Sequence, residues 1–147
     1  MQKSTCILIL FLLVILGSGC ATAPITGRTQ LLIVPEGDEI ALGLKSYQEV
    51  LSKAKISKDP KVNVQVKSVG TRIASVANKP DYQWEFTVID DPKTANAFAL
   101  PGGKVAVYTG LLPYTKDDNG LAFVLAHEVA HAIARHGGER MSEQLFI

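Results

Sequence analysis

The sequence has few of the residues that build disulfide-rich or nucleic-acid-binding proteins. Its two cysteines exclude a disulfide scaffold and a zinc ribbon with four cysteine ligands. Its 15 basic and 14 acidic residues leave a net charge of +1, so we expect no nucleic-acid partner. With 47% hydrophobic residues in a chain of 147, the composition predicts a folded chain of about one domain.

The chain also lacks an apolar run long enough to cross a membrane. The longest run, residues 6–16, has 11 residues, whereas a spanning helix needs about 20. Lys3 precedes this run, and small residues and Cys20 follow it, so residues 1–19 are predicted to be a signal peptide. The segment resembles a bacterial lipoprotein signal, which implies lipidation of Cys20. Plain secretion, with cleavage among residues 17–23, is the alternative, and a buried N-terminal helix is less favoured.

A lipidated Cys20 would attach the mature chain to a membrane. In Gram-negative lipoproteins an Asp after the cysteine usually retains the protein at the inner membrane, and this chain has Ala21 there. The resemblance therefore favours a cell-envelope protein, anchored in the outer membrane and facing the periplasm. Residues 20–35 are predicted to be a tether, and residues 36–147 a single domain.

The domain begins with two amphipathic helices. From Glu36 onward apolar residues recur with a helical period, and Asp59-Pro60 is an N-cap followed by proline at the first helical position. The second helix is predicted to run to about Asn78. Both helices are interpreted as packing layers.

The middle of the domain is predicted to be a small, mainly antiparallel sheet. Residues 82–89 alternate between apolar and polar, which indicates a strand. Residues 95–100 and 104–109 flank Pro101-Gly102-Gly103, a pattern typical of a β-hairpin. A further helix is predicted from about Asp118 to His136, with Gly137-Gly138 stopping or kinking it. The order of elements predicts the α+β class.

The chemistry is concentrated on that last helix, where residues 127–131 read His-Glu-Val-Ala-His. Residues four apart lie on one face of a helix, so His127 and His131 can share one Zn²⁺ ion. Glu128 lies beside that ion and can take a proton from a metal-activated water during attack on a peptide carbonyl. The apolar flanks predict that these three side chains are buried. His136 lies about 180° round a straight helix, so it is interpreted as a residue that interacts with the helix dipole.

Three segments together resemble a known family. They are residues 96–105, residues 108–112 and residues 125–132, and they are similar to the HtpX-like, CAAX-prenyl-protease-like zinc metallopeptidases, metallopeptidase family forty-eight. The branch is that of bacterial periplasmic lipoproteins related to Oma-type proteases. This resemblance implies a zincin-like fold, one Zn²⁺ per chain held by His127 and His131, and Glu128 as the catalytic base. It also implies that Asn96, Ala97 and Phe98 form an edge strand that pairs with extended substrates, which are unfolded or misassembled envelope proteins.

The family's third zinc ligand is a Glu on a later helix, which we expect downstream of Ile147. The sequence is accordingly interpreted as the N-terminal part of a longer metalloendopeptidase. Glu139 and Glu143 follow His131, and a bend at Gly137-Gly138 is needed to bring either of them near the metal. The alternative function is a non-catalytic, chaperone-like envelope lipoprotein that binds unfolded chains through the edge strand.

Overall fold

A computed structural model describes residues 20–23 and 27–145, so the predicted signal peptide lies outside the described residues. Along the described residues, two strands are followed by two helices, then by three strands, a 3₁₀ turn and three helices, in an α+β arrangement. The strands are β1 (Cys20–Thr22), β2 (Thr29–Leu31), β3 (Glu85–Ile89), β4 (Ala97–Leu100) and β5 (Lys104–Tyr108). The helices are α1 (Glu36–Lys53), α2 (Pro60–Val76), α3 (Leu112–Thr115), α4 (Asp118–Ile133) and α5 (His136–Gln144), with a 3₁₀ turn at Thr109–Leu111.

The central sheet has three strands in the order β3-β5-β4. β4 and β5 form the predicted antiparallel hairpin, in which Phe98 lies opposite Ala106. β3, however, runs parallel to β5, with Thr87 opposite Ala106. The sheet is therefore mixed and not mainly antiparallel, because a period-two pattern shows which residues share a face but not which way a strand runs.

Helices cover both faces of this sheet. On one face, α2 and α4 enclose a core with the strands, and its buried residues are Val66, Val69, Val88, Ala97, Val105, Val107, Leu121, Leu125 and Val129. On the other face, Tyr47 of α1 packs against Ile89 and Ala106. Successive residues of β5 thus point into different cores, as the pleat requires.

The local signals for the first two helices and the hairpin are confirmed. The side chain of Asp59 accepts hydrogen bonds from the backbone N–H groups of Lys61 and Val62, the arrangement of an N-cap. In the hairpin turn, Gly102 and Gly103 have φ values of +85° and +86°, which residues with a Cβ rarely adopt. β3 is shorter than predicted, because Tyr82 and Trp84 precede its first residue.

The described part of residues 20–35, which the sequence presents as a tether, is folded. β1 and β2 form an antiparallel pair, and the side chain of Gln30 donates a hydrogen bond to the carbonyl oxygen of Ala134 over 3.1 Å. The backbone N–H of Ile33 donates to the hydroxyl of Ser142 in α5 over 2.9 Å. This segment therefore packs against the end of the domain that follows α4. Within the described residues, no helix is long and apolar enough to span a membrane.

The contact between α2 and β3 yields a test of the packing. A Cβ added to Gly70 would overlap the ring of Phe86, whereas a Cβ added to Gly37 in α1 meets nothing within 4 Å. We expect Gly70→Ala to lower the free energy of unfolding by about 1–3 kcal/mol through overpacking. The matched control Gly37→Ala should be neutral or stabilise by up to about 1 kcal/mol. Urea unfolding measures both, and equal effects of the two substitutions would contradict this account of the interface.

Candidate metal centre

The site is built on α4, whose start is fixed by a side-chain cap. Asp117 accepts hydrogen bonds from the backbone N–H groups of Asn119 and Gly120, both over 2.9 Å. From this cap the helix turns one stripe of residues into the core, namely Leu121, Leu125, Val129 and Ala132. The His-Glu-Val-Ala-His motif leaves its two histidines on a different face.

His127 and His131 converge as the spacing predicts. Their Nε2 atoms are 3.0 Å apart, and the two rings meet edge to face with centroids 4.5 Å apart. Both side chains are exposed, and Glu128 is half-buried. The prediction that all three are buried is wrong, because Ala126, Ala130 and other small residues make the helix apolar without making each face a core face.

Glu128 and His131 line a cleft with a volume of about 520 Å³. β4, α5 and the N-terminal segment also contribute lining residues to this cleft. The remaining lining residues are Arg28, Phe98, Ala99, Leu100, His136, Glu139 and Arg140. Two residues of the motif, Glu128 and His131, and one residue of the predicted substrate strand, Phe98, therefore line the same cleft.

The three residues predicted for substrate binding differ in their surroundings. Asn96 is exposed, Phe98 is half-buried and lines the cleft, and Ala97 is buried in the core. The side chain of Ala97 is thus turned away from the cleft. The substrate-binding roles of these three residues and the lipidation of Cys20 stay predictions.

The end of α4 departs most from the sequence interpretation. The helix ends at Ile133, and Arg135 takes a left-handed conformation with φ of 58° before α5 begins at His136. Gly137 and Gly138, expected to stop or kink the helix, lie inside α5. The chain turns at Arg135 because tertiary contacts hold it there.

The main contact is an ion pair whose carboxylate is buried. The guanidinium of Arg135 pairs with the carboxylate of Glu39 and also donates to the carbonyl oxygen of Val34 over 3.1 Å. Glu39 is 1% exposed, and the hydrogen bond to it raises the pKa of Arg135 above its ordinary value. A Cβ at Gly138 would overlap the same carboxylate, so a glycine at this position makes room for the pair.

The turn brings His136 back against the motif. Its Nδ1 atom lies 2.6 Å from Nδ1 of His131, with ring centroids 4.8 Å apart. The interpretation of His136 as a residue beyond reach of the motif is wrong, because it assumes a straight helix. Burial, and then the neighbouring His131, lower the pKa of His136 below its ordinary value.

Glu139 also reaches the cleft, but its carboxylate has another partner. The two terminal guanidinium nitrogens of Arg28 donate hydrogen bonds to its two oxygens, and the bond from Nη1 to Oε1 is 2.8 Å long. This pairing lowers the pKa of Glu139 below its ordinary value. Within residues 20–23 and 27–145, no three His, Cys, Asp or Glu side chains lie close enough together to hold a metal ion.

Comparison with known proteins decides the family. The sequence pattern described as Peptidase family M48 matches residues 60–147, which include α4 and its motif. The chain belongs to peptidase family M48. It is 42% identical over 122 residues to the mitochondrial metalloendopeptidase OMA1 of Schizosaccharomyces pombe, covering 81% of this chain and 36% of that protein. It is 31% identical over 134 residues to OMA1 of Saccharomyces cerevisiae, covering 82% and 39%.

A bacterial relative is similar over the same region. The chain is 30% identical over 123 residues to the β-barrel assembly-enhancing protease of Escherichia coli K12, covering 84% of this chain and 25% of that protein. Across these three relatives the chain spans about a quarter to two fifths of their lengths. The two yeast relatives are named metalloendopeptidases, and the bacterial relative is named a protease.

Sequence reasoning missed the residues that hold the motif in place. Glu39 sits in an amphipathic helix with acidic neighbours, and nothing in its spacing distinguishes it from a solvated residue. The alternating pattern places Tyr82 in a strand, but in the structure its hydroxyl donates to the carbonyl oxygen of Ala132 at the end of α4 over 3.3 Å. Only the folded chain brings these residues to the motif, so no local pattern could have found them.

The two buried tyrosines predict a loss of stability at high pH. Burial raises the pKa of Tyr47 and of Tyr82 to about 12, from an ordinary value of 10.0. The fold thus favours the neutral phenols, and this stabilisation is complete below about pH 10 and is lost as the pH rises towards about 12. Each tyrosine should contribute about 2–3 kcal/mol to that loss.

Urea unfolding of the protein and of Tyr82→Phe, at about pH 9 and about pH 12, measures this contribution. The variant should be about 1 kcal/mol less stable at the lower pH, because it lacks the hydrogen bond to Ala132. It should also lose less stability as the pH rises. Parallel pH profiles for the two proteins would rule out this role for Tyr82.

Proposed function

We propose that this chain carries the catalytic helix of a zinc-dependent metalloendopeptidase. The observation that carries the proposal is the convergence of the Nε2 atoms of His127 and His131, 3.0 Å apart, on a helix whose Glu128 and His131 line a cleft together with β4. Membership in a peptidase family supports it. Two neutral imidazoles that direct their Nε2 atoms at one point are a donor set suited to Zn²⁺.

Zinc at this site would be held by His127 and His131, with a third ligand, a Glu, from the part of the protein downstream of Ile147. When bound, the ion supplies Lewis acidity that activates a water and polarises a peptide carbonyl. Glu139 is a poor candidate for the third ligand, since its two carboxylate oxygens are bound by Arg28.

Glu128 is assigned the proton transfers. Glu128 is half-buried, directly follows His127 in the sequence and lines the cleft. Its carboxylate would therefore lie beside the metal ligands without being one of them. There a carboxylate oxygen can accept the proton of the attacking water and then deliver it to the amine nitrogen of the leaving peptide. This is general acid–base catalysis by one residue in two steps.

The substrate would bind as an extended strand along β4. In the hairpin, Asn96 accepts a backbone hydrogen bond from Tyr108, so alternate residues Asn96, Phe98 and Leu100 direct their backbone groups towards β5. The backbone groups of Ala97 and Ala99 therefore point to the other edge, where the described residues provide no pairing strand. Pairing there reads the peptide backbone, which suits unfolded chains of varied sequence.

The cellular setting is proposed from the N-terminus and one relative. A signal peptide over residues 1–19 and lipidation of Cys20 would anchor the protein at the outer membrane, facing the periplasm. The Escherichia coli relative is named a β-barrel assembly-enhancing protease. We therefore propose misfolded or misassembled envelope proteins as the substrates.

The base assignment is tested by Glu128→Gln in the full-length protein. The amide cannot accept the proton, so hydrolysis of an unfolded protein substrate should fall by at least about 100-fold. Zinc content, measured by atomic absorption, should be unchanged, since Glu128 is not among the proposed ligands. Residual cleavage at the wild-type rate would show that Glu128 is not the base.

The chaperone-like alternative is favoured by one observation: among residues 20–23 and 27–145 the metal site lacks a third ligand. The two functions respond differently to a zinc chelator. Peptide hydrolysis by the full-length protein should stop on chelation and return when zinc is added. If chelation leaves the interaction with unfolded protein intact and no cleavage is ever detected, the binding function is the correct one.

A further inference from the structure

The two ring nitrogens of His131 have different neighbours. Its Nε2 faces Nε2 of His127 over 3.0 Å, and its Nδ1 faces Nδ1 of His136 over 2.6 Å. A neutral imidazole carries one donor and one acceptor, so each contact constrains the other.

We propose that His136 is a positioning residue for the metal ligand His131, accepting a hydrogen bond from its Nδ1–H group. The inference rests on the proposed zinc site. A ligating nitrogen must present its lone pair to the metal, so the proton of His131 must lie on Nδ1 when Nε2 is the ligand. That proton needs an acceptor, and Nδ1 of His136 is at hydrogen-bonding distance.

This arrangement also fixes the tautomer of His136. When its Nδ1 accepts, its own proton lies on Nε2. Such hydrogen bonds to metal-ligating histidines hold the ring orientation and raise the basicity of the ligating nitrogen. His136 would therefore strengthen zinc binding without touching the ion.

His136 is not a ligand of the same ion. It contacts His131 on the nitrogen opposite the one that faces His127, and the two nitrogens of an imidazole point away from each other. An ion between the two Nε2 atoms would lie on the far side of the His131 ring.

The fold places His136 there in advance of any metal. A helix continued past Ile133 would carry residue 136 to the opposite side, as the periodicity implies. The left-handed turn at Arg135, held by the ion pair with Glu39, reverses the chain so that α5 starts against the motif. Because Glu39 is buried and paired, the position of His136 is set by the core and not by a mobile loop.

The test is the zinc affinity of the full-length protein, measured by competition with a chromophoric chelator. His136→Ala removes the acceptor and should weaken zinc binding by about 10–100-fold. His136→Asn retains a side-chain oxygen near the position of Nδ1 and should recover most of the affinity. Gln144→Ala, an exposed uncharged residue on the same helix, serves as the matched control and should bind zinc as the wild type does.

A second readout distinguishes a hydrogen bond from a general effect on folding. In the zinc-bound wild type, the Nδ1–H proton of His131 should be protected from exchange and visible by NMR. The signal should be lost in His136→Ala and kept in Gln144→Ala. Unchanged zinc affinity in His136→Ala, or equal losses in the Ala and Asn variants, would overturn the proposal.

His127→Ala separates this inference from the proposed function. If that variant loses zinc and His136→Ala does not, the metal site stands and the positioning role is wrong. If His127→Ala keeps the wild-type affinity, the zinc site itself is wrong, and the inference falls with it.

Discussion

The ion pair between Glu39 and Arg135 is the interaction on which the geometry of the site depends. It joins the helix on one face of the sheet to the turn that ends the motif helix on the other, and its carboxylate is buried while its guanidinium is partly exposed. Such a pair gains little net stability over apolar packing, but removing one partner leaves an unpaired buried charge at a typical cost of about 3–5 kcal/mol. The pair therefore joins the turn at Arg135 to α1 at little net gain in stability.

Several other contacts converge on the same turn. Tyr82 donates a hydrogen bond to the carbonyl oxygen of Ala132, which also accepts from the backbone N–H of Arg135, and Gln30 donates to the carbonyl oxygen of Ala134. Arg135 adds a hydrogen bond to Val34. Three parts of the chain therefore form hydrogen bonds or an ion pair with the last turn of the motif helix. These contacts also hold His136, which directly follows Arg135, beside the motif.

The sequence could predict what is encoded within a few neighbouring residues. The Asp59 cap, the glycines of the hairpin turn and the spacing of His127 and His131 are local, and the structure shows each of them. The parallel pairing of β3 with β5 is not local, since its register depends on packing of both strands against α2 and α4. The alternation of apolar and polar residues in β3 therefore could not indicate the direction in which this strand runs.

The end of the motif helix shows the same limit more sharply. A glycine pair is a strong local reason to expect a break, yet the chain turns at Arg135, where a positive φ is unfavourable for a side chain with a Cβ. The distant carboxylate of Glu39 compensates for that local cost, and Gly138 contributes by its small size rather than by its backbone freedom. Local propensity was overridden by a tertiary contact between residues almost a hundred positions apart.

The motif helix and β4, the proposed substrate strand, share one core, and in the proposed enzyme this shared packing would link substrate binding to chemistry. Ala97 of β4 belongs to the same buried cluster as Leu125 and Val129 of α4, so the strand lies against the helix. The methyl side chain of Ala97 permits close approach, and a close-packed contact leaves little freedom for one element to shift against the other. Because β4 and Glu128, the proposed catalytic base, line one cleft, this core contact sets the distance between the proposed base and a peptide paired with β4.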